Sequence, residues 1–413
     1  MNAKNLDLGR ARRSLVAALI IALATFAWFA NPAQGEKIYG PGVTDTEIKI
    51  GQTMPYSGPL SAYSTIGKAE AAYFQKINDE GGINGRKIKF ISLDDGFSPP
   101  KTVEQVRKLV EQDEVLLLFQ TLGTSTNSAI VKYVNAKKVP HLLLATGGNK
   151  FSDPQNYPYT TPANPNYETE AKIYAKYILK TYPDAKIGVL YQHDDFGKDY
   201  LKGFKEGLGD KAARMIVSEV SFEVSDPTVD SQIVTLKGSG ADVFFNIATP
   251  KFTAQAIRKT YDIGWKPVQF VSNVSVSIAS VLQPAGLEKS VGIITAGYIK
   301  DPTDPQWQND PDTKEFFVWL KKYFPEGDPA DINIAYGYGQ AYTLVHMLRQ
   351  CGTELTRENV MKQATSLKNF KPPMRLPGIS LNTSADDRFG IKQMQLQKFD
   401  GKTWVLFGGI ISE

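Results

Sequence analysis

The sequence predicts an α/β protein of two lobes, each built on its own parallel sheet, and three observations predict it. From residue 48 onward, short apolar runs that read as buried strands alternate with amphipathic segments that read as helices. The alternation pauses at the proline- and tyrosine-rich "YPYTTPANPNYE", near 157–165, and resumes as a second series. The final third is less regular: helices near 312–324, 332–351 and 356–367, then "IKQMQLQKFDGKTWVLFG", a hairpin turning at Asp400-Gly401.

In the first series "EIKIGQT" is a strand and "IGKAEAAYFQKINDEGG" a helix stopped by Gly81-Gly82. "KIKFISLDD" is the next strand, and "SPPKTVEQVRKLVEQ" a helix opened by Ser98 and two prolines, a favoured start. The apolar run 115–119 is a third strand, and "VPHLLLAT" a fourth. Between these two lies "TLGTSTNSA", which offers Gly123 and the hydroxyls of Thr121, Thr124, Ser125 and Thr126 ahead of the helical "IVKYVNAKK". The first amides of a helix have no partner within it and attract anions, so hydroxyls beside them suit a carboxylate. Thr124 or Ser125 acting as a plain helix cap explains the same residues. On this stretch alone both readings stand.

In the second series "NYETEAKIYAKYILKTY" is a helix, "KIGVLYQ" a strand and "GKDYLKGFKEGLG" a helix. "MIVSEVSF" is a strand, "DPTVDSQIVTLKGSG" a helix closed by glycines and "ADVFFNIAT" a strand. "PKFTAQAIRKTYDIGW" and "PVQFVSN" continue the alternation. Ligands of open parallel sheets sit beyond the carboxyl ends of the strands. The loops there carry Tyr56, Ser57, Tyr63, Phe97, Thr146, Phe196 and Phe252, hydroxyls and rings suited to a small, partly apolar anion.

Arg10, Arg12 and Arg13 precede an apolar run from Leu15 to about Ala30, and small residues at Ala33 and Gly35 follow. This is the layout of a secretory signal, with the cut expected after Gly35. The signal takes most of the +4 formal charge with it, so the basicity says nothing of nucleic acid. Cys351 is the one cysteine, which excludes an intramolecular disulfide, and it reads as a packed residue at a helix end. The remaining chain has no second long apolar run.

No catalytic set emerges. Of the three histidines, His141 opens a strand, His346 lies in a helix, and His193 has Asp194 and Asp195 beside it but no second ligand group elsewhere. "DGKT" at 400–403 resembles the end of a phosphate loop but lacks the earlier glycine, where Leu396 stands. Asp94-Asp95, at a strand end, is explained by solvation or a cap. No cofactor and no metal is expected.

The segment "GVTDTEIKIGQTMPYSGPLSAYSTIGKAEAAYFQKINDEGGINGRKIKFISLDDGFSP" resembles the opening of the periplasmic branched-chain amino-acid-binding proteins, type I solute receptors of ATP-driven importers. "KIGVLYQHDDFGKDYLKGF" and "GADVFFNIATPKFTAQAIRKTYDIGWKPVQFV" match the second lobe in order and spacing. The resemblance implies two Rossmann-like lobes joined by three crossover segments: 36–164 with about 298–372, and 165–297 with about 373–413. It places a ligand carboxylate on Thr124, Ser125 and Thr126, backbone contacts at Ala145 and Thr146, and aromatic walls at Tyr63 and Phe196. Ser57, Phe97, Thr249 and Val274 complete the candidate site.

Where the family has a hydroxyl that helps hold the ligand's amino group, this chain has Gly147. The acid that pairs with the ammonium is replaced by Val274, and an aromatic by Thr249. The expected function is therefore capture of a small carboxylate, amino-acid-like or amine-free and aromatic. Delivery is to the permease subunits of an ABC importer, by a periplasmic monomer that binds no nucleic acid. A ligand-sensing subunit of the same fold is the alternative, and a secreted enzyme using Asp94, Asp95, His193 and Asp194 the remote one.

Overall fold

A computed structural model describes residues 37–412, so the signal read at 1–35 lies outside the described residues. From Tyr39 on, the chain forms one unit that carries two principal sheets. The first has five strands: β1 (Glu47–Met54), β2 (Lys87–Asp94), β3 (Leu117–Phe119), β4 (His141–Leu144) and β5 (Thr160–Pro162), in the order β2-β1-β3-β4-β5. All its pairings are parallel. β3 and β4 are buried along their whole length, which is why they read as unbroken apolar runs rather than alternating ones.

The helices of this half are α1 (Ser64–Asp79), α2 (Pro99–Glu111) and α3 (Thr124–Ala136). α2 starts on its two prolines as expected, with Ser98 extended before it. Asp94 and Asp95 belong to this corner. Asp94 accepts hydrogen bonds from the amide and hydroxyl of Ser57, from Gly96 N and from Lys101. Burial pushes its carboxyl up, but those bonds outweigh it and hold the group well below the usual range. Asp95 accepts from Phe97 N and the Thr102 hydroxyl, which fixes the loop ahead of α2.

The second sheet has seven strands: β6 (Ile187–Gln192), β7 (Ile216–Phe222), β8 (Val243–Ile247), β9 (Val268–Val271), β10 (Ile294–Gly297), β11 (Gln393–Phe399) and β12 (Trp404–Ser412). Their order is β12-β11-β10-β9-β8-β6-β7, parallel except where β11 joins β10 and β12. The hairpin turns at Asp400-Gly401 as expected, with Asp400 N donating to Thr403 O. The helices here are α4 (Tyr167–Thr181), α5 (Asp195–Leu208), α6 (Asp230–Gly238) and α7 (Pro250–Asp262).

β5 and β10 were not read from the sequence. β5 lies inside the stretch taken as a crossing segment, and β10, "ITAG", is too short for its alternation to register. The late helices are α8 (Pro311–Tyr323), α9 (Ile332–Gln350) and α10 (Arg357–Ala364). Although late in sequence, α8 and α9 meet α1 of the first half: Tyr73 and Tyr338 pack edge to face at 5.1 Å, and Tyr338 also packs on Phe316 and Trp319. Cys351 ends α9, buried, and burial pushes its thiol up to about 12.

Candidate functional site

The carboxyl ends of the strands of both sheets open onto one cleft of about 950 Å³, including space continuous with solvent. After β1 come Leu60 and Tyr63, after β2 Phe97, after β3 Leu122 to Thr124, and after β4 Ala145. From the second sheet come Gln192, Asp194 and Phe196 after β6, Thr249 after β8, and Asn273 with Val274 after β9. The two walls touch across the opening. The Tyr63 hydroxyl donates to the Val274 carbonyl at 2.9 Å, Lys150 pairs with Asp195 at 2.7 Å, and Asn149 N donates to Asp199 at 2.9 Å.

The turn after β3 is the most informative wall. α3 begins at Thr124, a turn earlier than its apolar period indicates, and its cap is Gly123. Gly123 has φ 104°, and a Cβ there would lie 2.3 Å from the Phe97 ring and 2.6 Å from the Thr126 hydroxyl, so only glycine fits. Neither Thr124 nor Ser125 caps the helix, and no acid stands in its first turn. The free amides at the start of α3 therefore carry no side-chain acceptor. By contrast Asn166 caps α4 and Asp194 caps α5. Thr124 Oγ1 lies 2.8 Å from Thr146 Oγ1, which already accepts from Gly148 N. When Thr146 donates its proton to Thr124, the Thr124 hydroxyl hydrogen is left for another acceptor.

Among the expected site residues, Tyr63, Phe97, Thr124, Ala145, Phe196, Thr249 and Val274 line the cleft. Ser57, Ser125, Thr126 and Thr146 do not. Ser57 is exposed and spent on Asp94. Thr126 donates back to the Leu122 carbonyl, Ser125 lies half-buried outside the lining, and Thr146 stands behind Thr124. Unforeseen lining residues include Tyr167, Tyr298, Tyr336 and Trp404. Tyr167 opens α4, Tyr336 lies in the apolar α9, and Tyr298 and Trp404 follow or begin strands of the irregular third. Nothing local sets these rings apart from core.

No Lys, Arg or His lines the cleft, and two acids do, Asp194 and Asp301. Asp301 is saturated, accepting from the amide and hydroxyl of Thr303, the Thr403 hydroxyl and Trp404 N. Asp194 accepts from Gln192 and Gly197 N, and burial pushes its carboxyl up. His193 turns away to Glu223 at 2.7 Å. With Asp94 and Asp95 also held in their own corner, the four groups of the enzyme alternative do not converge. The described residues contain no cluster able to hold a metal ion.

The space beside Gly147 is filled. A Cβ on Gly147 would lie 2.1 Å from the Pro165 carbonyl oxygen and 2.8 Å from the Tyr167 ring. Tyr167 is itself wedged against Tyr200 at 4.7 Å and Phe196 at 5.3 Å.

Under the loop bearing Val274 lies Glu170, fully buried, accepting from Asn273 N, Tyr174 and Tyr200. Burial pushes its carboxyl up to about 7, against those bonds, from a free value of 4.5. The folded chain therefore keeps a proton that the unfolded chain releases. The group's contribution to stability is full below about 4.5 and is lost as pH rises through 7. Melting scans of the native chain and Glu170→Gln should show the native chain's relative stability falling between pH 5 and 8. A difference independent of pH would refute this titration.

Residues 47–403 match a family model described as periplasmic binding protein. The chain belongs to that family. Relatives of the binding protein include a Leu/Ile/Val-binding protein homolog 7 from Brucella abortus, 22% identical over 88% of this chain and 92% of the relative. Its fold matches a branched-chain amino acid ABC transporter structure from Thermus thermophilus with bound valine, TM-score 0.80 and 16% identity, covering 90% of this chain and 98% of that one. It also matches a fatty acid ABC transporter substrate-binding protein from Thermomonospora curvata, TM-score 0.76 and 22% identity, covering 91% and 95%. The two-lobed type I periplasmic binding protein fold is thus the fold of this chain. Among the described residues no helix is long and apolar enough to cross a membrane.

Proposed function

We propose that the binding protein captures a small carboxylate without an α-amino group, with an apolar or aromatic body, and hands it to the permease of an ABC importer. It acts in the periplasm after loss of the signal at 1–35, and it performs no chemistry on its ligand. The lobes that close on the ligand are 36–164 with about 298–372, and 165–297 with about 373–413.

One observation carries the ligand class. The uncapped start of α3 and the Thr124 hydroxyl, both on the cleft, suit a carboxylate, and the positions that the resemblance assigns to the ammonium carry no acid. On the resemblance, Val274 takes the place of the family's acid, and the space beside Gly147 is occupied by Tyr167 and Pro165. An ammonium buried there would lack its counter-charge, a costly arrangement. Of the similar structures, one is of a fatty acid transporter's binding protein, an acid without an amine.

A thermal-shift screen of residues 36–413 against amino acids, benzoates, cinnamates and medium-chain fatty acids tests this, since ligands of the folded state raise the melting point. Thr124→Val should then weaken the best acid by about 1.5–3 kcal/mol, the worth of one hydrogen bond to a charged group. Unchanged affinity by calorimetry would remove Thr124 from the anion site.

A second reading rests on Asp194, which lines the cleft with acceptor capacity to spare and would take an ammonium in place of the lost acid. Asp194→Asn keeps a helix cap. It would abolish leucine binding on the second reading and spare acid binding on the first.

A further inference from the structure

Among the described residues, Arg375 is a buried cation with no partner for two of its nitrogens. It lies in the chain that returns beside the cleft floor: Ile299 and Arg375 form an antiparallel bridge, and Leu376 N donates to Tyr298 O. Its side chain is only 7% exposed, yet Nε and Nη1 are buried without a hydrogen-bond partner. The guanidinium sits 4.9 Å from the centroid of Tyr298, and Tyr298 and Ile299 both line the cleft.

The charged groups around it are few. The ionisable groups nearest it are Tyr298 and Tyr336, both cleft-lining and both kept neutral by burial, which pushes their hydroxyls up, and no described carboxylate pairs with it. Burial lowers its pKa to about 10, so the charge persists at neutral pH. A buried cation without an anion is among the most unfavourable arrangements a folded chain can keep, and replacing such a group by an apolar one of similar size tends to stabilise. A fold keeps it when the missing anion arrives from outside.

We infer that Arg375 supplies the counter-charge for the bound acid, so that the cleft selects ligands of net negative charge over zwitterions. This rests on the carboxylate reading above and extends it. The start of α3 offers the acid amides and a hydroxyl, which orient it, while Arg375, one ring away from the cleft, neutralises it across a low-dielectric wall. A zwitterion gains nothing from that charge, because its ammonium cancels the attraction.

The test uses residues 36–413 as the native chain, Arg375→Met and Arg375→Lys. The probes are benzoate, cinnamate, octanoate, leucine and cinnamamide, the neutral counterpart of cinnamate. The native chain should bind at least one acid, and cinnamate at least tenfold more tightly than cinnamamide. In Arg375→Met acid affinity should fall at least tenfold and the acid–amide ratio collapse toward one, with partial recovery in Arg375→Lys. The empty Arg375→Met protein should melt above the empty native chain.

Acid binding unchanged in Arg375→Met would overturn the inference and leave the carboxylate reading standing. Leucine binding with no acid binding would overturn both. If no probe binds, the empty proteins decide: a lower melting point in Arg375→Met and recovery in Arg375→Lys would make the arginine a structural residue and end the proposal.

Discussion

Val274→Glu should cost the protein about a hundredfold in affinity for an amine-free acid. Val274 lines the cleft on the loop after β9, held from one side by the Tyr63 hydroxyl on its carbonyl and from below by Glu170 on Asn273 N. A carboxylate there would face the bound acid across the cleft. Two like charges about 6 Å apart at an effective dielectric near 20 repel by about 3 kcal/mol, roughly a hundredfold in Kd. The same change supplies an ammonium partner, so leucine should gain affinity while cinnamate loses it. The gain should be partial, since Tyr167 still fills the place beside Gly147. Calorimetric titration of both ligands into native and variant protein reads the two shifts together. Equal loss of both ligands would mean only that the loop had been damaged, and no change in either would remove Val274 from the specificity site.

Gly147→Ser should destabilise the protein by about 3 kcal/mol, the upper range for forcing atoms into a packed interior. The nearest obstacle to a Cβ is a backbone oxygen, Pro165 O at 2.1 Å, which no rotamer change can move aside. The second obstacle, Tyr167, is stacked on Tyr200 and edged by Phe196, and its amide donates to Gly147 O at 3.1 Å. A hydroxyl side chain at this place is thus not open to this chain as a single change. Denaturant unfolding measures the loss. A variant as stable as the native chain would show that Tyr167 yields easily, and that an amino group could still be accommodated beside it.

Most of the architecture was legible because it is written locally. Unbroken apolar runs such as Leu116 to Phe119 and Val243 to Phe245 mark strands covered on both faces, and the paired prolines at 99–100 mark a helix start. β5 and β10 are not legible because Thr-Thr-Pro and Ile-Thr-Ala-Gly, unlike the equally short β3 and β4, form no run of large apolar residues. The cleft is partly legible through the rule that ligands lie beyond strand ends, which groups Tyr63, Phe97 and Phe196, while Val274 is reached only through the family resemblance.

What the sequence by itself determined was which loops build the cleft and that one of them is a glycine-and-hydroxyl turn before a helix. Which hydroxyl of that turn faces the cleft was decided only by the tertiary structure. Consecutive residues of a helix are rotated by about 100° from one another, so Thr124, Ser125 and Thr126 cannot share a face. Thr124 looks into the cleft, and the Thr126 hydroxyl folds back on Leu122 O. Arg375, unpaired at Nε and Nη1, lies against Tyr298 and outside the lining. Tyr298, Tyr336 and Trp404 come from segments far from the turn in sequence, and each reads locally as ordinary core or strand. They meet at the cleft because the chain crosses back between two sheets, and burial and missing partners are properties of that packing that no local pattern encodes.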